Sequence, residues 1–275
     1  MAETMKVACI QMNSGADIRK NLDVAADLIR EAASKGAEFI LTPEITDQVV
    51  SNRAEKLDKT YTQEDHPGVA AFADMAKELS VHLLIGSMVV KVTADKVANR
   101  SFLFAPDGKL KATYDKIHLY DVDLPTGESH RESKLIVGGD RAVVAPVNGD
   151  FTLGMSICYD VRFAHLFRDL AKAGANILSI PAAFTVTTGK AHWETLLRAR
   201  AIETGSYVLA AAQSGNHDGA RNTYGHSMII GPWGEVLADA GQGVNIIYAD
   251  IESQAVTKAR NAIPCLQHDR EYGKP

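Results

Sequence analysis

Along the chain, short runs of consecutive apolar residues alternate with stretches in which apolar residues return every three or four positions. KVACIQMN (6–13) is a run of the first kind and reads as a buried strand. Ile18, Leu22, Ala25, Ile29 and Ala32 follow at helical spacing, with Gly36 as the expected stop. EFILTPE (38–44) is again strand-like, with Pro43 and Glu44 at its C-terminal end. GVAAFADMAKELS (68–80) predicts an amphipathic helix and VHLLIGSMVV (81–90) a strand. SFLFAPDGKLKATYDK (101–116) predicts a hairpin turning at Pro-Asp-Gly. Residues 118–141 are polar, rich in Gly and His, and without period. They predict a long loop, and such loops inside a compact domain are usually functional or disordered.

The second half repeats this rhythm. FTLGMSIC (151–158) reads as a strand, VRFAHLFRDLAKAG (161–174) as a helix and ANILSIPA (175–182) as a strand. HWETLLRARAIETG (192–205) predicts a helix, SYVLAAAQ (206–213) a strand, and GHSMIIGPWGEVLAD (225–239) a hairpin around Pro-Trp-Gly. VNIIYADI (244–251) predicts a further strand before a short helix and tail. AASKGAEFILTPE (32–44) and LAKAGANILSIPA (170–182) share the order helix, Gly, apolar strand, Pro, which suggests two similar halves packed as layers. No linker interrupts the pattern. The expectation is a single α/β domain over residues 1–275, with strands buried under helices.

Composition narrows the function classes. The 275 residues suffice for one large α/β domain, and 46% hydrophobic with 23% charged residues is ordinary for a soluble globular chain. The net charge of −5 and the lack of a Lys/Arg run argue against a nucleic-acid groove or an anionic membrane surface. No apolar run approaches the ~20 residues needed to span a bilayer. MAETMKVACIQMN lacks the charged start, apolar core and cleavage site of a signal peptide, so a cytoplasmic location is expected. Cys9, Cys158 and Cys265 are odd in number and have no CxxC spacing, which speaks against a disulfide framework or a structural zinc site.

The chain has no GxSxG, HExxH, GxGxxG or Walker loop. Cys158 is left as the candidate nucleophile. It ends a predicted strand just before a predicted helix, where helix N-terminal N–H groups lower a thiol pKa and can hold an oxyanion. A buried packing cysteine is the competing reading. Glu44 stands at the C-terminal end of a strand, where ligands bind in open α/β sheets, although a lone glutamate there also serves as a cap or a solvated charge. Lys116, in YDKIHLYD, reads by itself as a surface lysine.

Together, TPE (42–44), YDKIHLYD (114–121) and SICYDVRF (156–163) resemble the three signatures of the nitrilase, or carbon–nitrogen hydrolase, superfamily, in the right order. The resemblance implies an α-β-β-α sandwich that dimerises. It also implies a Glu-Lys-Cys triad of Glu44 as general base, Lys116 as the cation stabilising the tetrahedral intermediate, and Cys158 as nucleophile. The backbone N–H of Tyr159 would complete the oxyanion site. A second glutamate is implied in DLPTGESHRESKLIVGG, which offers Glu128 and Glu132; the family's Glu-Ser pair selects Glu132. Neither a metal nor an organic cofactor is implied.

PAAFTVTTGKAHWETLLRARAIET (181–204) and TYGHSMIIGPWGEVLADAG (223–241) look like the branch acting on small amides of α-keto acids, which holds the deaminated glutathione amidases and the ω-amidases. ITDQVVSNR after Glu44, and Gly231, depart from that branch. The implied substrate is a small-molecule amide carrying carboxylates. Arg162 is a candidate to grip one, with an ion pair to Asp160 or Asp169 as the alternative. Phe184 and Thr187 are candidates to line the pocket, with core packing and capping as alternatives. His192, Glu194, Arg198 and Arg200 fit surface ion pairs or a subunit interface, and a homodimer or larger closed oligomer is expected. Two further readings remain open: a catalytically silent binding or scaffold member of the family, and a redox-sensing thiol protein.

Overall fold

The computed structural model describes residues 3–50, 52–125, 127–219 and 221–273. Two six-stranded sheets face each other. The first runs, edge to edge, Asn245–Glu252, Thr4–Gln11, Phe39–Leu41, His82–Lys91, Val97–Phe104 and Leu110–Asp115. The second runs Val143–Pro146, Thr152–Met155, Ile177–Ser179, Tyr207–Ala210, Met228–Ile230 and Val236–Asp239. Each has three parallel central strands, one antiparallel strand on one side and an antiparallel pair on the other. The two sheets therefore match strand for strand. The echo between 32–44 and 170–182 falls on the middle parallel strand of each.

The period of two in the first strand explains the layering. Val7 and Cys9 point between the sheets and pack with Phe151, Leu153 and Met155. Ala8 and Ile10 point outward beneath Ala25, Ile29 and Ala32 of the helix Ile18–Ser34, with Phe72 and Met75 of the helix Pro67–Leu79 alongside. On the other side the helices Ala164–Lys172 and Val186–Thr204 bury Leu166, Phe167, Leu170, Trp193 and Leu197 against the second sheet. The layers are thus α-β-β-α, as the resemblance implied.

Several boundaries differ from the sequence reading. The helix expected at 192–205 spans Val186–Thr204, because Thr185 caps it through the Thr188 N–H and hydroxyl. Three threonines and a valine hid that start, since β-branched residues read as strand or loop. The helix expected at 161–174 begins at Ala164, after a 3-10 turn at Cys158–Arg162. The long loop at 118–141 holds a small hairpin, Asp121–Asp123 with Ser129–Arg131, and a 3-10 turn at Glu132–Lys134. A helix at Arg53–Lys59, the edge strand Val143–Pro146 and the hairpin Ser214–Asn216 with Asn222–Tyr224 were not foreseen. All are short, and the helix and the hairpin are polar, so no period marks them.

Candidate active site

The four central site residues come from four separate places and meet beyond the C-terminal ends of the parallel strands. Glu44 follows the strand Phe39–Leu41, Cys158 follows Thr152–Met155, and Lys116 follows Leu110–Asp115; Glu132 opens the 3-10 turn of the long connection. All four line one cavity of about 310 Å³.

Local backbone geometry explains how the ends are held. Gly86 and Ser87 interrupt the register of the strand His82–Lys91. The Ser87 N–H donates to the Pro43 carbonyl at 3.2 Å, and the Thr46 N–H to the Ser87 carbonyl at 2.9 Å. The Ser87 hydroxyl takes the Ile45 N–H at 2.7 Å. Ile45 has φ +49° and Cys158 φ +51°, so a non-glycine residue in the left-handed region stands beside Glu44 and at Cys158 itself. For a β-branched residue this is strained, by about 1–3 kcal/mol, and such strain collects at functional sites.

At the second turn the Cys158 N–H donates to the Pro181 carbonyl at 2.8 Å. Asp160, fully buried, fixes the turn. Its Oδ2 accepts from the Ile157 N–H at 2.9 Å and the Tyr114 hydroxyl at 2.7 Å, and its Oδ1 pairs with the His118 N–H at 3.0 Å and Nδ1 at 2.7 Å. The first hydrogen bond of the turn runs from the Asp160 N–H to the Ile157 carbonyl, which leaves the Tyr159 N–H ahead of it. Arg200, at 6% exposure, donates from Nε to the Val161 carbonyl at 2.8 Å, so it braces this turn from within.

Glu44 accepts at Oε1 from Lys116 Nζ at 3.0 Å and Asn99 Nδ2 at 2.9 Å, and at Oε2 from the Ala183 N–H at 2.8 Å. Lys116 Nζ also reaches both oxygens of Glu132, at 3.0 and 2.9 Å. Glu132 is held in turn by the Tyr120 N–H at 2.6 Å. Cys158 lines the same cavity as Glu44, near enough for the charges of Glu44 and Lys116 to act on its thiol.

Burial works to raise the Glu44 pKa, but the charges of Lys116 and Arg221 and hydrogen bonds from Cys158 and Lys116 outweigh it and hold the carboxyl below its ordinary value. Burial would lower Lys116, yet Glu132 and Glu44 raise it well above an ordinary lysine. Burial and the Glu44 charge push the Cys158 thiol well up, against Lys116 and the Ala183 N–H. The resting pair is therefore a thiol beside a carboxylate. Moving the proton from Cys158 to Glu44 leaves the net charge of the cluster unchanged, which suits a desolvated site.

Among the side chains of this cavity that the sequence reading missed are Asn99, Lys56 and Arg221. Asn99 is a lone amide in an apolar strand, which was a readable signal. Lys56 lies on the unforeseen helix, and its pKa is lowered by burial first and by Arg221 next. Arg53, Arg131 and Lys134 add further cations to the wall. Four of the buried polar atoms without a hydrogen-bond partner among the described residues belong to this wall: Asn99 Oδ1, Tyr120 Oη, His130 Nε2 and Arg221 Nε. Unsatisfied buried groups gathered at one place mark where a ligand completes them.

The remaining candidates fall around this centre. Phe184 lines a small recess beside Cys158 with Tyr159, Thr185 and Thr188, and packs on Trp193 with ring centroids 4.7 Å apart. Thr187 lies in the first helical turn and is not in the lining of the described cavities; Thr185 and Thr188 take the place assigned to it. Arg162 pairs with neither Asp160 nor Asp169. Its guanidinium lies over the Tyr159 and Phe184 rings and reaches His192 Nδ1 at 3.3 Å, outside the described lining. Of the two glutamates offered by the loop, Glu132 meets Lys116 and Glu128 lines a neighbouring cleft. All three cysteines are free thiols. Among the described residues no helix is long and apolar enough to cross a membrane, and no group of three His, Cys, Asp or Glu side chains is placed to hold a metal ion.

The chain is similar to known proteins over nearly its whole length. The chain is 41% identical over 264 residues to deaminated glutathione amidase of Synechocystis sp., covering 95% of this chain and 96% of that one. It is 36% identical to omega-amidase NIT2 of Homo sapiens, covering 97% and 95%. The crystal structure of the Caenorhabditis elegans NitFhit protein superposes with a TM-score of 0.91 at 37% identity, over 98% of this chain and 66% of that one. Saccharomyces cerevisiae Nit3, of the nitrilase superfamily, superposes at 0.86 with 28% identity, over 97% and 96%. The sequence profile of the carbon-nitrogen hydrolases matches residues 6–261, and with these likenesses the chain belongs to the carbon-nitrogen hydrolase family.

Proposed function

We propose that this hydrolase is a cysteine-dependent amidase for small amides of α-keto acids, with deaminated glutathione as its substrate. The observation that carries the chemistry is the bond network Glu44–Lys116–Glu132 set against Cys158 in one cavity. Cys158 Sγ attacks the amide carbonyl as Glu44 takes the thiol proton. Lys116 and the Tyr159 N–H stabilise the oxyanion. Glu44 returns the proton to the departing nitrogen, a thioester remains, and water activated by Glu44 releases the acid. Glu132 keeps Lys116 charged and aimed.

The acyl half of such a substrate is an anion, and Lys56, Arg53, Arg131, Lys134 and Arg221 ring the cavity that would receive it. This supports an acidic substrate and moves the carboxylate-gripping role from Arg162 to these cations. The Synechocystis relative carries the activity in its name. An ω-amidase acting on α-ketoglutaramate or α-ketosuccinamate is the second reading, favoured by the human relative's name. Hydrolysis of deaminated glutathione beside α-ketoglutaramate, with Cys158→Ala as control, separates them. A higher kcat/KM on the first substrate supports the proposal, and a higher value on the second moves the protein to the ω-amidases. Unchanged turnover in Cys158→Ala overturns the mechanism.

We also propose a homo-oligomer in a reducing, cytoplasmic setting. Ile202, Trp233 and Ile263 are 52%, 60% and 55% exposed around one shallow recess, a face suited to a second copy of the chain. Sedimentation showing only a monomer would overturn this.

A further inference from the structure

The cavity of about 310 Å³ is not the whole opening. Beside it lies a wider polar cleft of about 790 Å³. Arg221 and His130 belong to both walls, and Arg221 and Thr185 also border the recess next to Cys158. The far wall is the unforeseen hairpin Ser214–Asn216 with Asn222–Tyr224, together with Gln242 and Gly243. A primary amide releases ammonia, which needs no more room than one water, about 30 Å³. The cleft has no use in that reaction.

Building on the amidase reading above, we propose that this cleft is the leaving-group subsite and that it takes an amine of dipeptide size. The hydrolysed bond is then that of a secondary amide. The thioester C–S bond forms, the C–N bond breaks, and the proton held by Glu44 passes to the departing amine nitrogen. The cleft suits a peptide because its wall offers the exposed side-chain amides of Asn222 and Gln242. Gly215 and Gly243 adopt φ +92° and +86°, conformations that L side chains rarely reach, so no side chain fills this part of the wall. Asn222 is exposed on the hairpin edge. Arg221 stands at the junction with Nε buried and unpartnered among the described residues, an unused donor where the amide must pass.

The test compares one acyl group on two leaving groups: α-ketoglutaramate, which releases ammonia, and deaminated glutathione, which releases cysteinylglycine. Both are assayed with the unaltered enzyme and with Asn222→Trp and Gln242→Trp, two bulky changes on separate segments of the wall. The ratio of kcat/KM, dipeptide amide over primary amide, should fall by about tenfold or more in each variant. Turnover of the primary amide reports that a variant is folded. A ratio that stays within about twofold in both variants overturns the subsite while leaving the amidase reading intact. An unaltered enzyme inactive on both amides overturns the amidase reading and the subsite with it.

Discussion

The Ala183 N–H donates to Glu44 Oε2 at 2.8 Å across a sequence separation of 139 residues. This bond joins the two similar halves at the candidate active site. It fixes one carboxylate oxygen from the second sheet, while Asn99 and Lys116 fix the other from the first. The carboxylate cannot rotate without losing a donor, so its aim toward Cys158 is set by the packing of the two sheets.

That rigidity makes Glu44→Gln a severe change. An amide cannot take up the thiol proton, and its NH2 group would face a donor wherever it turned. We expect kcat/KM to fall by about 10³-fold, within the usual range for a lost general base. Glu132→Gln should cost less, because that residue meets Lys116 and not the thiol. Steady-state assays of both variants check this, and near-equal losses would contradict the division of roles.

Gly86→Ala tests the seat of Glu44 from behind. A Cβ at this position would lie 2.0 Å from the Thr42 carbonyl oxygen and 2.5 Å from both the Pro43 carbonyl oxygen and Pro181 Cβ. Backbone on one side and proline on the other cannot yield cheaply. We expect a stability loss of about 1–3 kcal/mol or more from overpacking, and loss of turnover even in the folded fraction. Thermal unfolding with activity measured below the transition decides it. A variant with normal kcat would show that the carboxylate does not depend on this contact.

Asp160→Ala removes the anchor of the Cys158 turn. It leaves the Tyr114 hydroxyl and the Ile157 N–H buried without their acceptor. Losing hydrogen bonds to a buried charge should cost about 3 kcal/mol or more. The alkylation rate of Cys158 by iodoacetamide should fall with it, since the turn no longer holds the sulfur beside Glu44. Unchanged stability with unchanged alkylation would sink the assignment.

The pH dependence follows from the resting pair. The folded pKa of Glu44 lies below its ordinary 4.5. Its contribution to stability is therefore present above 4.5 and is lost as pH falls through the lower folded value. The acid limb of kcat/KM should lie in the same low range. The Cys158 thiol lies well above its ordinary 9.0, so no gain in kcat/KM should appear as pH rises past 9.0. A pH–rate profile that climbs near 9.0 would show an independently ionising thiol in place of a thiol served by Glu44.

Much of the architecture could be read before any coordinates. The apolar runs at 6–13, 81–90 and 206–213, and the helical spacing from Ile18 to Ala32, name their own elements because each period is local. The order of Glu44, Lys116 and Cys158 was legible on other grounds, the likeness of their short signatures to those of the nitrilase superfamily. The Thr185 cap, the Arg53–Lys59 helix and the 214–224 hairpin were not, because short polar segments carry no period and take their shape from what they pack against.

The sequence by itself determined the kinds of layer, the repeat of one half in the other, and the chemical types gathered for the site. Only the tertiary structure decided that Asn99 and Ala183 hold Glu44, that Asp160 ties the Cys158 turn to Tyr114 and His118, and that Arg162 turns toward His192 while Lys56 and Arg221 face the cavity. These contacts join residues far apart in the chain. Their geometry depends on how two sheets and four helices close on one another, which no local pattern of side chains encodes.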